Sequence, residues 1–215
     1  MKKPFDLSLY LVLDPDLCRQ HSMVETARAA VAGGVTMVQV RHKRASTAER
    51  IALARRVKEA LRDTPALVVM NDDIDAAIEA DVDALHIGQR DMAAALARTR
   101  IGPDMLLGVS VNAEGAAHAI DPAVVDYVGV GPVFATLTKP DHELPIGFDG
   151  LARIVAACPV PAVAIGGLKR QHAADVLAAG ARGMAVVSAI CGAPDPRQAS
   201  SELWACIQQA RGSVK

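Results

Sequence analysis

The chain has 215 residues, is 51% apolar and carries a formal net charge of −1. Such a length supports a sizeable core, and the balanced charge offers no global basic field for nucleic acid. Aromatic residues make up only 3%, too few for base-stacking surfaces, and neither a membrane-spanning run nor an apolar stretch after Met1-Lys2-Lys3 is present.

Short β-branched runs alternate with Ala-rich stretches along the whole chain. Strands are expected over residues 9–14, 36–42, 66–71, 84–88, 106–110, 127–133, 161–166 and 183–188. Helices are expected over 21–32, 47–62, 75–79, 92–98, 113–119, 150–156, 171–179 and 198–211. Strict βα alternation implies a parallel sheet with right-handed crossovers, and eight units close naturally into a barrel. The expected fold is α/β, a single (β/α)8 TIM-barrel domain over residues 1–215. The open doubly wound sheet is the alternative, but its usual Gly-rich turn is replaced after strand 1 by Leu13-Asp14-Pro15-Asp16. Gly33-Gly34, Gly102 and Gly180 follow helices, where a left-handed C-terminal cap favours glycine.

In a barrel the chemistry sits at the strand ends. Strand 2 continues as Val38-Gln39-Val40-Arg41-His42-Lys43; alternation puts Gln39, Arg41 and Lys43 on one face. Clustered cations are costly to bury unless something anionic binds them, or unless they brace the barrel mouth as an ion pair. Strand 3 ends in Asn71-Asp72-Asp73, and Asp91 follows strand 4. Each Asp is also a reasonable helix N-cap. Asp72 and Asp91 come from adjacent strands, so their carboxylates can converge on Mg²⁺, leaving positions for water and a substrate phosphate. With the strand 2 cations they make a diphosphate pocket.

Strand 5 ends in Gly108-Val109-Ser110, and Ser110 reads as a hydrogen-bond donor, since no His–Asp partner is apparent for it. Strand 6 runs into Thr136, Thr138 and Lys139, a polar rim in which Lys139 can close over an anion; an ordinary solvated loop is equally compatible. The stretch from Pro140 to Gly147 is long and polar enough for a lid. Strands 7 and 8 end in Ile165-Gly166-Gly167 and Val186-Val187-Ser188, suited to one phosphate monoester. Two unequal anion sites result, one helped by metal. The cysteines, Cys18, Cys158, Cys191 and Cys206, have no CxxC spacing and read as reduced, mostly buried thiols of a cytoplasmic protein.

Eight blocks, among them Gln39-Val-Arg-His-Lys43, Asn71-Asp72, His86-Ile-Gly-Gln-Arg-Asp91, Asp126-Tyr-Val-Gly-Val-Gly-Pro-Val-Phe134 and Val187-Ser-Ala-Ile190, closely resemble thiamine-phosphate synthases. The resemblance runs in order from about Tyr10 to Ile190. It implies a TIM barrel joining hydroxymethylpyrimidine diphosphate to a thiazole phosphate with loss of pyrophosphate. By resemblance, Gln39 and Asn71 hold the aminopyrimidine, while Arg41, Lys43 and Lys139 bind its diphosphate with a hydrogen bond from Ser110. Asp72 and Asp91 ligate Mg²⁺. Thr136, Thr138, Gly167, Val187 and Ser188 receive the thiazole phosphate. The family usually has an acidic residue at the place of His42 and an Arg at that of Asp73; alternation turns His42 away from the cations, whereas Asp73 adds a carboxylate near the metal. A homodimer is a plausible assembly.

Two rivals share the fold. A thiazole tautomerase tends to lack the metal carboxylates and to carry His where Asn112 stands; a thiazole-phosphate sensor needs no leaving-group apparatus. Intact Asp72, Asp91, Arg41, Lys43 and Lys139 favour the synthase.

Overall fold

A computed structural model describes residues 2–88, 91–136 and 144–213. Eight strands, β1 (Leu9–Leu13), β2 (Met37–Val40), β3 (Leu67–Asn71), β4 (Ala84–Ile87), β5 (Leu106–Val111), β6 (Tyr127–Val130), β7 (Ala162–Ile165) and β8 (Met184–Val186), pair in parallel in chain order. The barrel closes through β1 against β8, with Leu9 opposite Met184. Between and after the strands run α1 (Met23–Ala32), α2 (Thr47–Leu61), α3 (Ile74–Glu79), α4 (Ala94–Ile101), α5 (Glu114–His118), α6 (Gly147–Ala157), α7 (Ala173–Ala178), α8 (Ser188–Cys191) and α9 (Pro196–Ser213). All eight expected strands and helical stretches form. The short α8 after β8 is additional to the expected ranges.

Local chemistry starts the helices. Ser22 with Glu25 and Ser46 with Glu49 form capping boxes at α1 and α2, satisfying amide protons that the first turn leaves without helical partners. Gly34, Gly102 and Gly180 take positive φ as expected, but Gly33 does not. A Cβ at Gly33 would lie 2.3 Å from the Arg197 carbonyl, so glycine there admits α9 against α1.

Strand alternation divides the core in two. Outward residues such as Leu11, Val38, Val68, Leu85 and Val128 pack under the helices. Inward residues, among them Tyr10, Met37, Val69, Leu106, Tyr127 and Val163, fill the barrel. The next inward positions toward the C-terminal mouth are polar or small: Gln39, Asn71, His86, Ser110 and Gly129. The core therefore stops one layer short of the mouth and leaves a cavity. Among the described residues no helix is long and apolar enough to cross a membrane.

Candidate active site

The cavity at the mouth measures about 500 Å³, within the range of small-molecule sites. Gln39, Arg41, Lys43, Asn71, Asp72, Asp91, Ser110, Thr136, Gly167, Val187 and Ser188 all line it. Thus every expected site residue within the described part converges. Thr138, Lys139 and half of the suggested lid lie outside the described residues. An adjoining groove of about 900 Å³ shares Thr136, Gly167 and Ser188 and is edged by Lys169 and Arg170.

β2 ends at Val40, so Arg41 and Lys43 project from the following loop and not from the strand. Arg41 is already partnered: its Nη1 donates to Asp14 Oδ2 at 2.6 Å, with both side chains largely buried. The mouth-bracing ion pair and the pocket cation are therefore one residue. Asp14 went unrecognised as its partner in the sequence because it lies 27 positions away.

Asp72 has φ +61°, a left-handed conformation uncommon for a residue with a side chain, and its N–H donates to the His86 carbonyl at 2.9 Å. This bond ties the β3 and β4 ends together and brings Asp72 to Asp91. Burial, then the Asp91 charge and hydrogen bond, push the Asp72 carboxyl up to about 6, opposed by Lys43 and Asn71. Two carboxylates forced together in a partly dry pocket are a physical mark of a cation site. Asp91 caps no helix: its Oδ2 accepts from the Gly88 N–H at 2.6 Å, and α4 begins with no side-chain cap.

Asp73 does cap a helix. Its Oδ1 accepts from the Ala76 N–H and its Oδ2 from Arg50 and Thr47, all at 2.9 Å. Burial pushes this carboxyl up, but those donors outweigh it and hold it below the ordinary value. The expected extra carboxylate near the metal is thus turned into α3. Arg50 also donates to the carbonyls of His42 and Lys43, stapling the loop that carries the cations. His42 stays off the cavity lining, as alternation required, with Nδ1 buried and lacking a hydrogen-bond partner.

Ser110 has a histidine partner after all, since His86 Nε2 lies 3.0 Å from its Oγ. The other ring nitrogen faces the Tyr127 hydroxyl at 3.3 Å, not a carboxylate, so the described residues assemble no nucleophilic triad. Sequence reasoning gave no role to His86, Tyr10 or Tyr127. A usable signal existed: the two tyrosines of the chain both fall at inward strand positions. The cysteines are free, but Cys191 alone is buried and the others are half-buried.

At the far side, Gly166 and Gly167 have φ +104° and +63°, exposing backbone beside the start of α8 at Ser188. A Cβ at Gly167 would lie 2.8 Å from both the Ala135 carbonyl and Phe134 Cβ.

The family model described as "Thiamine monophosphate synthase" matches residues 9–190. A thiamine-phosphate synthase of Xanthobacter autotrophicus is 46% identical over 211 residues, covering 98% of this chain and all of that protein. One from a Psychrobacter species is 46% identical over 204 residues, 93% of this chain and 94% of its own. Among solved structures, thiamine phosphate pyrophosphorylase from Pyrococcus furiosus superposes with a TM-score of 0.85 at 35% identity, covering 95% of this chain and 96% of that one.

Proposed function

The chain belongs to the thiamine monophosphate synthase family, a family of transferases, and we propose that it joins hydroxymethylpyrimidine diphosphate to a thiazole phosphate, forming thiamine phosphate and releasing pyrophosphate. The observation that carries this reading is a single cavity with two unlike ends. One end holds Arg41 and Lys43 with the Asp72–Asp91 pair; the other holds Thr136, Gly167, Val187 and Ser188.

In this reading Gln39 and Asn71 hold the aminopyrimidine, and Arg41, Lys43, Ser110 and Lys139 take its diphosphate. Thr136 and Thr138 join Gly167, Val187 and Ser188 around the thiazole phosphate. Asp72 and Asp91 fit Mg²⁺ because they are two converging carboxylates, with room for substrate oxygens and water. When bound, the metal offsets negative charge on the diphosphate. Arg41 and Lys43 are preplaced cations for the same charge as the C–O bond breaks. Arg41 is held in place by Asp14, so little reorganisation is required when the leaving group develops. The aminopyrimidine can delocalise positive charge from its methylene carbon, which favours a dissociative substitution. The thiazole nitrogen is itself the nucleophile, so the protein supplies orientation and needs no general base for bond formation.

Incubation of the protein with both substrates, with and without EDTA, tests the reading. Thiamine phosphate should form with Mg²⁺ and fall to background on chelation. Formation untouched by EDTA overturns the metal assignment, and no product under any condition overturns the synthase reading.

A further inference from the structure

Beneath the cavity lies a line of hydrogen bonds whose middle members take no part in the chemistry above. Gln39 Nε2 donates to the Tyr10 hydroxyl at 2.8 Å, and the Tyr10 and Tyr127 hydroxyls are 3.0 Å apart. The Tyr127 hydroxyl lies 3.3 Å from His86 Nδ1, and His86 Nε2 lies 3.0 Å from Ser110 Oγ. Five side chains from five strands thus connect Gln39 to Ser110. The path has a reserved place: a Cβ at Gly108 would sit 2.5 Å from the Tyr127 oxygen and 2.6 Å from His86 Nδ1.

With a neutral His86, proton counting allows the line two concerted directions, the first of which starts from the Gln39 amide as donor. Burial pushes both phenols well above their ordinary value, so each keeps its single proton. Tyr10 accepts from Gln39 and donates to Tyr127, and Tyr127 in turn donates to His86 Nδ1. A neutral imidazole that accepts at Nδ1 carries its proton on Nε2 and donates it to Ser110. Ser110 then has its own proton to give on the cavity side. The opposite direction satisfies every bond as well, but only if all five groups reverse together and the Gln39 amide turns over. Gln39 and Ser110 therefore change character as a pair.

We propose that Tyr10, Tyr127 and His86 are positioning residues that couple the two ends of this relay, so that diphosphate binding at Ser110 selects an exocyclic amino group at Gln39. Diphosphate oxygens only accept, so they require Ser110 as donor. The relay then holds the Gln39 nitrogen toward Tyr10 and leaves its carbonyl oxygen as the acceptor for the pyrimidine. An amino group satisfies that oxygen, whereas an oxo group at the same position opposes it. The inference rests on the proposed use of an aminopyrimidine diphosphate and adds how this chain discriminates it.

The test compares kcat/KM for the amino substrate and for its analogue with oxo in place of that amino group. Wild-type protein should discriminate strongly. Tyr127→Phe and Tyr10→Phe each cut the relay while keeping the ring, and each should lower the discrimination about tenfold, as expected for one net hydrogen bond. KM for the thiazole phosphate should stay unchanged, a split that general loosening of the barrel would not give. Active wild-type protein with undiminished discrimination in either foldable variant overturns the relay. Wild-type protein that makes no thiamine phosphate overturns the underlying reading instead, and the relay's role with it.

Discussion

Asp91→Asn separates the cost of the carboxylate pair from its use. In the metal-free protein Asp72 is raised from 3.8 to about 6, which corresponds to about 3 kcal/mol between its two protonation states. Because the folded value lies above the unfolded one, the native state holds a proton that the unfolded chain releases over roughly pH 4 to 6. Stability is therefore lost as pH rises through about 6. Burial is the largest cause and survives the substitution, and the Asp91 charge and hydrogen bond act on top of it; relieving one like-charge contact at a partly exposed site is worth on the order of 1 kcal/mol. Asn keeps an acceptor for the Gly88 N–H while removing the charge. Thermal denaturation in EDTA at pH 7.5 should show the variant melting about 2–4 °C higher than wild type, with the difference vanishing near pH 4. Mg²⁺-dependent pyrophosphate release should fall about a hundredfold, while thiazole-phosphate binding is retained. A lower melting temperature at pH 7.5, or parallel loss of binding and turnover, would refute the reasoning and make Asp91 a loop-holding acceptor for Gly88.

Asp73→Ala removes the α3 cap and the Arg50 partner, so urea denaturation should show a loss of about 1–2 kcal/mol. The Mg²⁺ concentration needed for activity should not move; a large shift would put Asp73 in the metal site. Gly167→Ala forces a side chain onto a φ of +63° against Phe134 and Ala135, and steady-state kinetics should show KM for the thiazole phosphate rising about tenfold with little change for the pyrimidine substrate. Arg41→Met strands the buried Asp14 carboxylate and should destabilise the fold by about 3 kcal/mol. Adding Asp14→Asn should restore stability in denaturation curves but leave the pyrimidine-diphosphate KM high; recovery of both would show that Arg41 only braces the barrel.

Much of this site is legible because strand alternation is a local property. Gln39, Asn71 and Ser110 occupy inward positions that can be read from their own strands. Likewise, Asp72 and Asp91 follow neighbouring strands of a parallel sheet, so their approach is predictable from strand order. The family resemblance adds ligand identities to those positions. It picked Asp72 as the metal ligand but also put the Asp73 carboxylate near the expected metal, whereas of the two only Asp72 lines the cavity. That outcome depends on the left-handed backbone of Asp72 and on Arg50, a residue of the preceding helix, drawing Asp73 away.

The chain by itself determined the eight strand–helix units, the inward positions and which residues line the two ends of the cavity, since each follows from periodicity, turn chemistry or short motifs. Only the tertiary structure decided that Arg41 is held by Asp14, that Asp73 is spent on a helix, and that Ser110 meets His86. It also assembled Gln39, Tyr10, Tyr127, His86 and Ser110 into one relay. Those contacts join residues 24 to 117 positions apart, and they form only when the barrel closes and Gly108 leaves space for a tyrosine and a histidine to meet.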